Sequence, residues 1–390
     1  MKGGDHITDT NRVEINKNIY IWAIKESKKD FGEIKHKFKD IEAWISQDKY
    51  PTFGQVKKLA GFLKVPLGYM FLDEPPKTDI IQSEFRTIGN KMPEISKDLK
   101  DTLYSIGRKR DWLNEYRSEN GWKKLIPDDF NGLSNKDINT VCVNAKEFID
   151  LDEFWYKKYR DADPAFKYLR EALEGHGITV MQNGVVGSNT HRKLNINEFR
   201  GFLLYDDIAP IIFINNNDSA NGKIFTLIHE YIHFLLAEDD IFKDEDAEID
   251  NGNEKRINKI TAEFLMPASH IEKLWDDNGL QMEQIEDLSK VFHVSPIALA
   301  IKLRDMKKID QQLVNEIEQH TKSSLEKEAN TESGGDYYKT SRSRFGDNFL
   351  STIIQGAESG DISYTHAFKL LDGSVKTYDY FKEKFMTHGI

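Results

Sequence analysis

The sequence is poor in cysteine, in long apolar runs and in net positive charge. Cys142 is the only cysteine, which excludes an intramolecular disulfide and a thiolate metal cluster and is typical of a reducing compartment. No stretch of about eighteen apolar residues is free of charge, so we expect no membrane span. The first sixteen residues lack the apolar core of a signal peptide, and we expect a cytoplasmic protein. The net charge of −11 argues against a protein that coats nucleic acid, but it permits one small DNA-reading module.

Apolar periodicity and turn residues divide the 390 residues into five predicted segments. The spacing predicts a helical domain over 1–75, a charged helical linker region over 76–135 and a larger domain over 136–310. Polar composition predicts a flexible linker over 311–335. Apolar positions at helical spacing then predict a helical appendage over 336–390.

The larger domain is expected to be mixed α and β. An amphipathic helix over 164–177 precedes a strand-like segment, 178–181. Two further strands over 201–205 and 210–214 flank a short turn and could pair as a hairpin. A capping cluster rich in asparagine then introduces a strongly apolar helix over 222–236.

This apolar helix carries His229, Glu230 and His233 in the pattern HExxH. Positions i and i+4 lie on one helix face, about 5.4 Å apart along the axis, so both imidazoles could bind one Zn²⁺. Glu230 lies beside the metal, where it can take a proton from a water whose pKa the metal lowers to about 7. The spacing alone arises by chance in on the order of one chain per hundred of this length. The apolar flanks favour a metal site over satisfied polar residues, because unpaired polar groups are costly there.

A catalytic zinc needs a third protein ligand and an open position. Glu254 lies at the start of the next predicted helix, and Glu263 on the same helix is its rival. The intervening acidic loop offers further carboxylates at Glu245, Asp246 and Glu248. Spacing alone does not choose among these five residues.

Four segments together resemble the ImmA/IrrE family of metallopeptidases. They are IFTLIHEYIHFLL at 224–236, EKRIN and KITAEFLMP at 254–267, the strand pair at 198–218 and the closing helices at 288–306. The resemblance covers about residues 160–306. One departure is Ile257, where relatives often carry a small residue or cysteine; it bears on packing and not on the metal.

The resemblance implies a role for each matching residue. His229, His233 and Glu254 would be the metal ligands, Glu230 the catalytic base, and Asn258 a neighbour that orients a ligand. Zinc is the expected metal, although manganese or iron could also occupy two histidines and a carboxylate.

Substrate-binding groups are less defined in the sequence. Arg200, His191, Tyr205 and His270 are all candidates for stabilising the oxyanion. Peptidases of this kind commonly hold an extended peptide against an edge strand, and 210–214 is our candidate strand because it leads into the metal helix. A plain structural hairpin is the alternative.

The amino-terminal segment 15–72 resembles an Xre-type helix-turn-helix domain, mainly through KDIEAWISQDKYPTFGQVKKLAGFLKVPLGYMFL at 39–72. Lys35, Lys37 and Lys39 could contact DNA phosphates, although nearby carboxylates oppose them. Alternatively, the scaffold serves dimerisation or recognition of a repressor.

The expected fold class is α+β: a zincin-like core with a small sheet on the HExxH helix, an all-α helix-turn-helix domain and a helical tail. The family resemblance implies a cytoplasmic zinc metallopeptidase that cleaves a helix-turn-helix repressor of a mobile element or stress regulon. The alternative is an antitoxin and transcriptional regulator that binds a toxin and its own promoter. A homodimer is possible in either case.

Overall fold

The computed structural model describes residues 12–75 apart from 28, 64, 66 and 73, residues 95–127, 130 and 132–236, and residues 251–328 and 342–388. The chain forms two compact units, Met1–Gln82 and Ser83–Ile390. The predicted domain boundaries stay predictions. Among the described helices, none combines the length and apolar character needed to cross a bilayer.

The first unit is a small helical body. Its helices are α1 (Lys17–Ser27), α2 (Phe31–Lys37), α3 (Ile41–Ile45) and α4 (Phe53–Leu63), followed by a 3-10 segment at Leu67–Phe71. Asp30 begins α2, because its carboxylate accepts the Glu33 backbone N–H at 3.2 Å. Ile19, Trp44 and Leu59 are buried together in its core. This core uses the apolar positions that the sequence pattern predicted.

The second unit combines many helices with a few short strands, so the mixed α+β class is confirmed. Its elements before the HExxH motif are α5 (Lys97–Glu119), α6 (Ile138–Phe148), α7 (Ala162–Gly175), β1 (Thr179–Asn183), β2 (Val185–Val186), β3 (Asn189–Lys193), β4 (Gly201–Leu204) and β5 (Ile211–Asn215). The elements that follow are α8 (Ala220–Leu236), α9 (Asn251–Leu265), α10 (Ala268–Leu274), α11 (Gln281–Phe292), α12 (Pro296–Asp305), α13 (Gln311–Glu328), α14 (Asp347–Ser359), α15 (Tyr364–Leu370) and α16 (Val375–His388).

The main sheet has the strand order β1-β5-β4. The predicted hairpin is confirmed, since β4 pairs antiparallel with β5 and Phe202 faces Phe213. However, β1 pairs parallel with the other side of β5, with Thr179 opposite Ile211. Strand β5 is therefore central, and the prediction that residues 210–214 form an edge strand is wrong. The parallel pairing joins segments about thirty residues apart in the sequence, which a turn signal cannot reveal.

Both faces of this sheet are covered by helices. Ile212 and Ile214 of β5 lie in one apolar core with Ile224 and Leu227 of α8. On the opposite face, Phe213 stacks on Phe202 with ring centroids 5.0 Å apart. A cavity of about 30 Å³, hardly larger than one water, is lined there by Phe213, Ile106 of α5 and Phe345. Helix α5 and the carboxyl-terminal segment therefore pack closely on the second face of the sheet.

Residues 311–328, within the segment predicted to be a flexible linker, are helical and form α13. Val314 and Ile317 are buried, at 3% and 2% exposure. These two apolar residues, three positions apart, lie on one face of the helix and belong to the domain core. The polar side chains among residues 311–320 are exposed to solvent.

A buried carboxylate ties the carboxyl-terminal helices to α7. Glu174 accepts the Arg170 Nε–H at 3.1 Å and the backbone N–H of Asp347 at 2.9 Å. Arg170 also donates to the carbonyl oxygen of Val180 in β1 at 2.7 Å. Burial raises the pKa of Glu174 despite the Arg170 guanidinium beside it. This cluster therefore joins a helix, a strand and α14 through one buried ion pair.

We expect Glu174→Ala to destabilise the protein by about 3–5 kcal/mol, because it leaves the Arg170 guanidinium buried without its counter-charge. The matched control is Glu171→Ala one turn earlier on α7. Its half-exposed carboxylate pairs with Lys167 at 3.3 Å, and such a pair contributes less than about 1 kcal/mol. Urea unfolding followed by circular dichroism measures both variants. Equal losses of stability would contradict the role given to Glu174.

Candidate metal centre

Helix α8 presents polar groups inside an apolar core. Ser219 caps the start of the helix by accepting the Gly222 backbone N–H at 3.1 Å, which agrees with the predicted capping cluster. The apolar residues that flank the motif are buried except for the partly buried Phe225, and His233 and Glu230 are only 4% and 5% exposed. The side chains of His229, Glu230 and His233 therefore lie in surroundings where unpaired charge is costly.

Three of the predicted ligand residues converge. The Nε2 atoms of His229 and His233 lie 3.1 Å apart. Glu254, at the start of α9, places one carboxylate oxygen 3.2 Å from His229 Nε2 and the other 3.4 Å from His233 Nε2. One ligand atom from each residue lies within 4.8 Å of the others, so the group could hold a metal ion.

The spacing of these atoms matches a small tetrahedral ion. Ligand atoms at about 2.0–2.1 Å from zinc, separated by tetrahedral angles, lie about 3.3–3.4 Å from each other. The two imidazole nitrogens are 3.1 Å apart, and each lies 3.2 or 3.4 Å from a different carboxylate oxygen of Glu254, which is close to these values. Two imidazole nitrogens and a carboxylate also leave room for a further ligand. The residues present therefore fit a divalent metal of the zinc type.

Asn258 lies one turn after Glu254 on α9. Its Nδ2 group donates to the Glu254 backbone carbonyl at 2.9 Å and to the Glu254 carboxylate at 3.3 Å. The amide thereby restrains the carboxylate that faces both imidazoles. This arrangement is consistent with the predicted orienting role of Asn258.

The electrostatics of the two carboxylates differ. Burial acts to raise the pKa of Glu254, but hydrogen bonds and charge from His229 and His233 outweigh it and hold that pKa far below its usual range. Burial raises the pKa of Glu230, and the two nearby imidazoles only partly oppose this. For His229, burial lowers the pKa, while Glu254 and Glu230 raise it to above the ordinary value. Glu254 is thus held as an anion, whereas burial favours the neutral form of Glu230 more than in an exposed glutamate.

Glu230 also has an unusual hydrogen-bonding state. Its Oε2 atom is buried and has no hydrogen-bond partner among the residues that the structure describes. The backbone N–H of Leu203 in β4 faces this carboxylate and offsets a small part of the rise in its pKa. No side-chain pattern could predict this contact, since a backbone N–H is present in almost every residue. The strand that contacts the predicted base is therefore β4, which is an edge of the three-stranded sheet.

Gly201 permits β4 to lie this close to α8. A Cβ at this position would lie 2.5 Å from Thr226 Cγ2 on α8 and 2.8 Å from the carbonyl oxygen of Phe213. Only glycine fits between the two without displacing one of them. Thr226 is one turn before Glu230 on α8. This close approach therefore sets the distance between the edge strand and the helix at the motif.

The other predicted site residues have different surroundings. Glu263, the rival ligand, pairs with Lys302 and accepts the Ala268 backbone N–H at 3.0 Å, so it is not part of the metal group. Among the oxyanion candidates, His270 bonds to Tyr156 and Glu153. The remaining rivals Glu245, Asp246 and Glu248 lie outside the described residues.

The three remaining oxyanion candidates also engage other groups or face solvent. Arg200 pairs with Asp218 at 2.8 Å, and the Tyr205 hydroxyl donates to Asp207 at 2.6 Å. His191 is exposed on β3. None of these contacts assigns an oxyanion-stabilising role.

The predicted DNA-contacting lysines belong to the first unit. Lys35 pairs with Glu42 at 2.7 Å. The Lys37 ammonium lies over the ring of Phe62, and Lys39 is exposed. Their contact with DNA stays a prediction.

Residues 173–304 match the Peptidase_M78 family, described as the IrrE N-terminal-like domain. The matched segment runs from the end of α7 to α12, and it includes the three residues of the metal group. It is about a third of the chain. The match confirms the family resemblance for this segment and indicates a metallopeptidase domain. Comparisons with curated proteins and with solved structures gave no match.

We expect the purified protein to bind about one divalent metal ion per chain at this group. Glu254→Gln should weaken binding by at least about tenfold, because it removes the anionic ligand. Glu263→Gln is the control, since it alters the rival carboxylate on the same helix. Metal analysis after dialysis against a graded chelator measures the difference. If the Glu254 variant retained the metal and the Glu263 variant lost it, Glu263 and not Glu254 would be the third ligand.

Proposed function

We propose that the chain is a zinc-dependent metalloendopeptidase that cleaves a specific regulatory protein, a helix-turn-helix transcriptional repressor, and so relieves repression. The observation that carries the proposal is the convergence of His229, His233 and Glu254 next to the buried carboxylate of Glu230. The family match over residues 173–304 supports it, because it indicates a metallopeptidase domain around these side chains.

The proposed mechanism assigns metal binding to three side chains. His229 and His233 bind through Nε2 and Glu254 through its carboxylate, while Asn258 keeps that carboxylate in position. A divalent metal held there supplies Lewis acidity, which polarises a peptide carbonyl and acidifies water. Glu254 is suited to this task because it stays anionic, and an anion partly neutralises the charge of the ion.

Glu230 is the proton carrier in the proposed mechanism. Its Oε2 atom has no hydrogen-bond partner within the described part of the chain, so it could accept a proton from the attacking water. Burial raises the pKa of the carboxyl group, so Glu230 binds that proton more readily than an exposed glutamate. It can then release the proton to the nitrogen of the leaving amine.

The proposed substrate-binding surface is the edge of β4. This strand pairs with β5 on one side only, as far as the described residues extend, and it lies directly against α8. An extended peptide could add to the edge through backbone hydrogen bonds, in the manner of β-augmentation. A peptide bound in this way would pass beside Glu230. Cleavage of a flexible or locally unfolded segment of the substrate follows from this geometry, because only an extended chain can pair with the strand.

We expect Glu230→Gln to retain the metal but to lower kcat/KM by about 10²–10⁴-fold, because the amide cannot accept the proton. The control is Glu171→Gln, which alters an exposed glutamate on α7. The substrates to be tested are helix-turn-helix repressors, beginning with any that is encoded beside this gene, and cleavage is followed by gel electrophoresis and mass spectrometry of the products.

Two results would contradict the proposal. Cleavage by Glu230→Gln at the rate of the unaltered protein would reject Glu230 as the catalytic base. The other is a metal-loaded protein that leaves the repressor intact but binds a toxin or its own promoter, which would favour the antitoxin and regulator.

A further inference from the structure

A large groove on the second unit lies apart from the metal group. It has a volume of about 1510 Å³. One side of α6, the chain that leads from α6 to α7, and the junction of α9 with α10 form its walls. We refer to it as the acidic groove, because six carboxylates line it: Asp137, Glu147, Asp150, Asp152, Glu153 and Glu263.

The acidic groove and the metal group lie on opposite sides of α9. Glu254 belongs to the metal group and Glu263 lines the groove, and they are nine residues apart on this helix. Nine residues make about two and a half helical turns, so the two side chains point in opposite directions and are about 13 Å apart along the axis. A molecule bound in the groove therefore leaves the metal group accessible.

Most of the groove lies outside the segment that matches the metallopeptidase family. Helix α6, the lining residues of 150–158 and Tyr168 all precede residue 173, where the match begins. Glu263 and residues 267–270 are the lining residues within the matched segment. The groove is therefore a feature of this chain and not of the family domain alone.

The negative charge of the groove is only partly neutralised. Lys146 and Lys158 line the groove together with the carboxylates. Lys302 of α12 pairs with Glu263 from outside the groove. Set against these three lysines, the six carboxylates leave an excess of three negative charges. The charge of the groove therefore favours a cationic partner.

Three of the carboxylates are accessible to a partner. Glu147 is exposed on α6. The side chains of Asp150 and Glu153 are 87% and 67% exposed, and they contact the imidazoles of His176 and His270 at 3.1 and 3.0 Å. Because a neutral imidazole can donate such a hydrogen bond, these contacts do not require that the carboxylate charge be neutralised. All three carboxylates can thus form ion pairs with incoming cations.

Apolar surface accompanies the charge in the groove. Val143 of α6 lines it and is 54% exposed. This valine lies one turn after Asn139 and one turn before Glu147, so it is an apolar residue in the middle of a polar helix face. Ile138 and Tyr168 line the groove as partly buried residues. A partner would gain apolar contact at Val143 and ion pairs around it.

The size of the groove favours a protein segment over a small molecule. Pockets for small ligands have volumes of about 300–1,000 Å³, and this groove exceeds that range. A helix of three turns, about 10 Å across and 16 Å long, occupies on the order of 1,300 Å³. An amphipathic helix can bind a groove through an apolar stripe, and carboxylates beside that stripe favour lysines and arginines at its margins.

We propose that the acidic groove binds a basic amphipathic helix of a partner protein. An apolar side chain of that helix contacts Val143, and its lysines or arginines pair with Glu147, Asp150 and Glu153. The proposal goes beyond the peptidase and does not rest on it, because His229, His233 and Glu254 are not among the residues that line the groove.

The test measures binding of the full-length protein to fluorescein-labelled synthetic peptides by fluorescence anisotropy. The probe is a helix-forming peptide of about fourteen residues, or four turns, with leucines along one face and lysines on the other. A second peptide has the same composition in scrambled order, so that its leucines do not share a face. A third has the order of the probe with glutamate in place of every lysine.

Two variants alter the groove, and one serves as a control. The groove variants are Glu147→Gln/Asp150→Asn and Val143→Asn. Asparagine tolerates the left-handed backbone of Asp150, where φ is 50°. The charge-matched control Glu283→Gln/Glu286→Gln alters two exposed glutamates of α11 that do not line the groove. Circular dichroism melting checks that each variant is folded.

We expect the probe peptide to bind and the glutamate peptide not to bind. The Glu147→Gln/Asp150→Asn variant should weaken binding of the probe at least about threefold, because two exposed ion pairs are lost. Val143→Asn should weaken it by a similar factor, because an apolar contact of about one methylene group is lost. The control should keep the affinity of the unaltered protein. Glu230→Gln should also keep it, so failure of this proposal is distinguishable from failure of the peptidase.

Three outcomes would overturn the proposal. Equal effects of the two double variants would show that the net charge of the chain, and not the groove, attracts the peptide. Equal binding of the scrambled peptide would exclude recognition of an amphipathic helix. A Kd above about 1 mM for the probe would show that the groove does not bind a partner of this chemistry.

Discussion

The contact of Glu254 with both motif imidazoles is the interaction on which the metal centre depends. Without that carboxylate, the two motif histidines would lose the anion that hydrogen bonds to both of them. With it, the group has a net negative character that favours a cation. The anion comes from a different helix, so the centre forms only when α8 and α9 are packed together. Tertiary structure, and not the motif alone, therefore creates the metal site.

The packing around α8 also holds the residues of the metal group in place. The sheet supports the helix on one side through apolar side chains, and Gly201 lets the edge strand approach it closely. The backbone of that strand then reaches Glu230, whose carboxylate is otherwise surrounded by apolar groups. Burial, which is usually a cost for a carboxylate, here raises its proton affinity.

Local patterns in the sequence predicted the elements that bear the site. The apolar helix, its capping cluster and the β4–β5 hairpin all follow from residues that are near each other in the chain, and the structure has them. The parallel pairing of β1 with β5 has no such local signal, and so the central position of β5 was missed. The contact of the Leu203 backbone with Glu230 has no side-chain signature. Zinc, the roles of the site residues and DNA binding stay predictions.

The sheet is buried on both faces, but the segment that matches the family covers only one of them. The segment recognised by comparison, residues 173–304, supplies the strands, the metal helix and its carboxylate partner. The cover for the second face comes from α5 and from residues beyond 341, on either side of that segment. Excised at its recognised limits, the domain would expose Phe213 and its neighbours to water. The segment that matches the family is therefore shorter than the length of chain needed to bury this sheet on both faces.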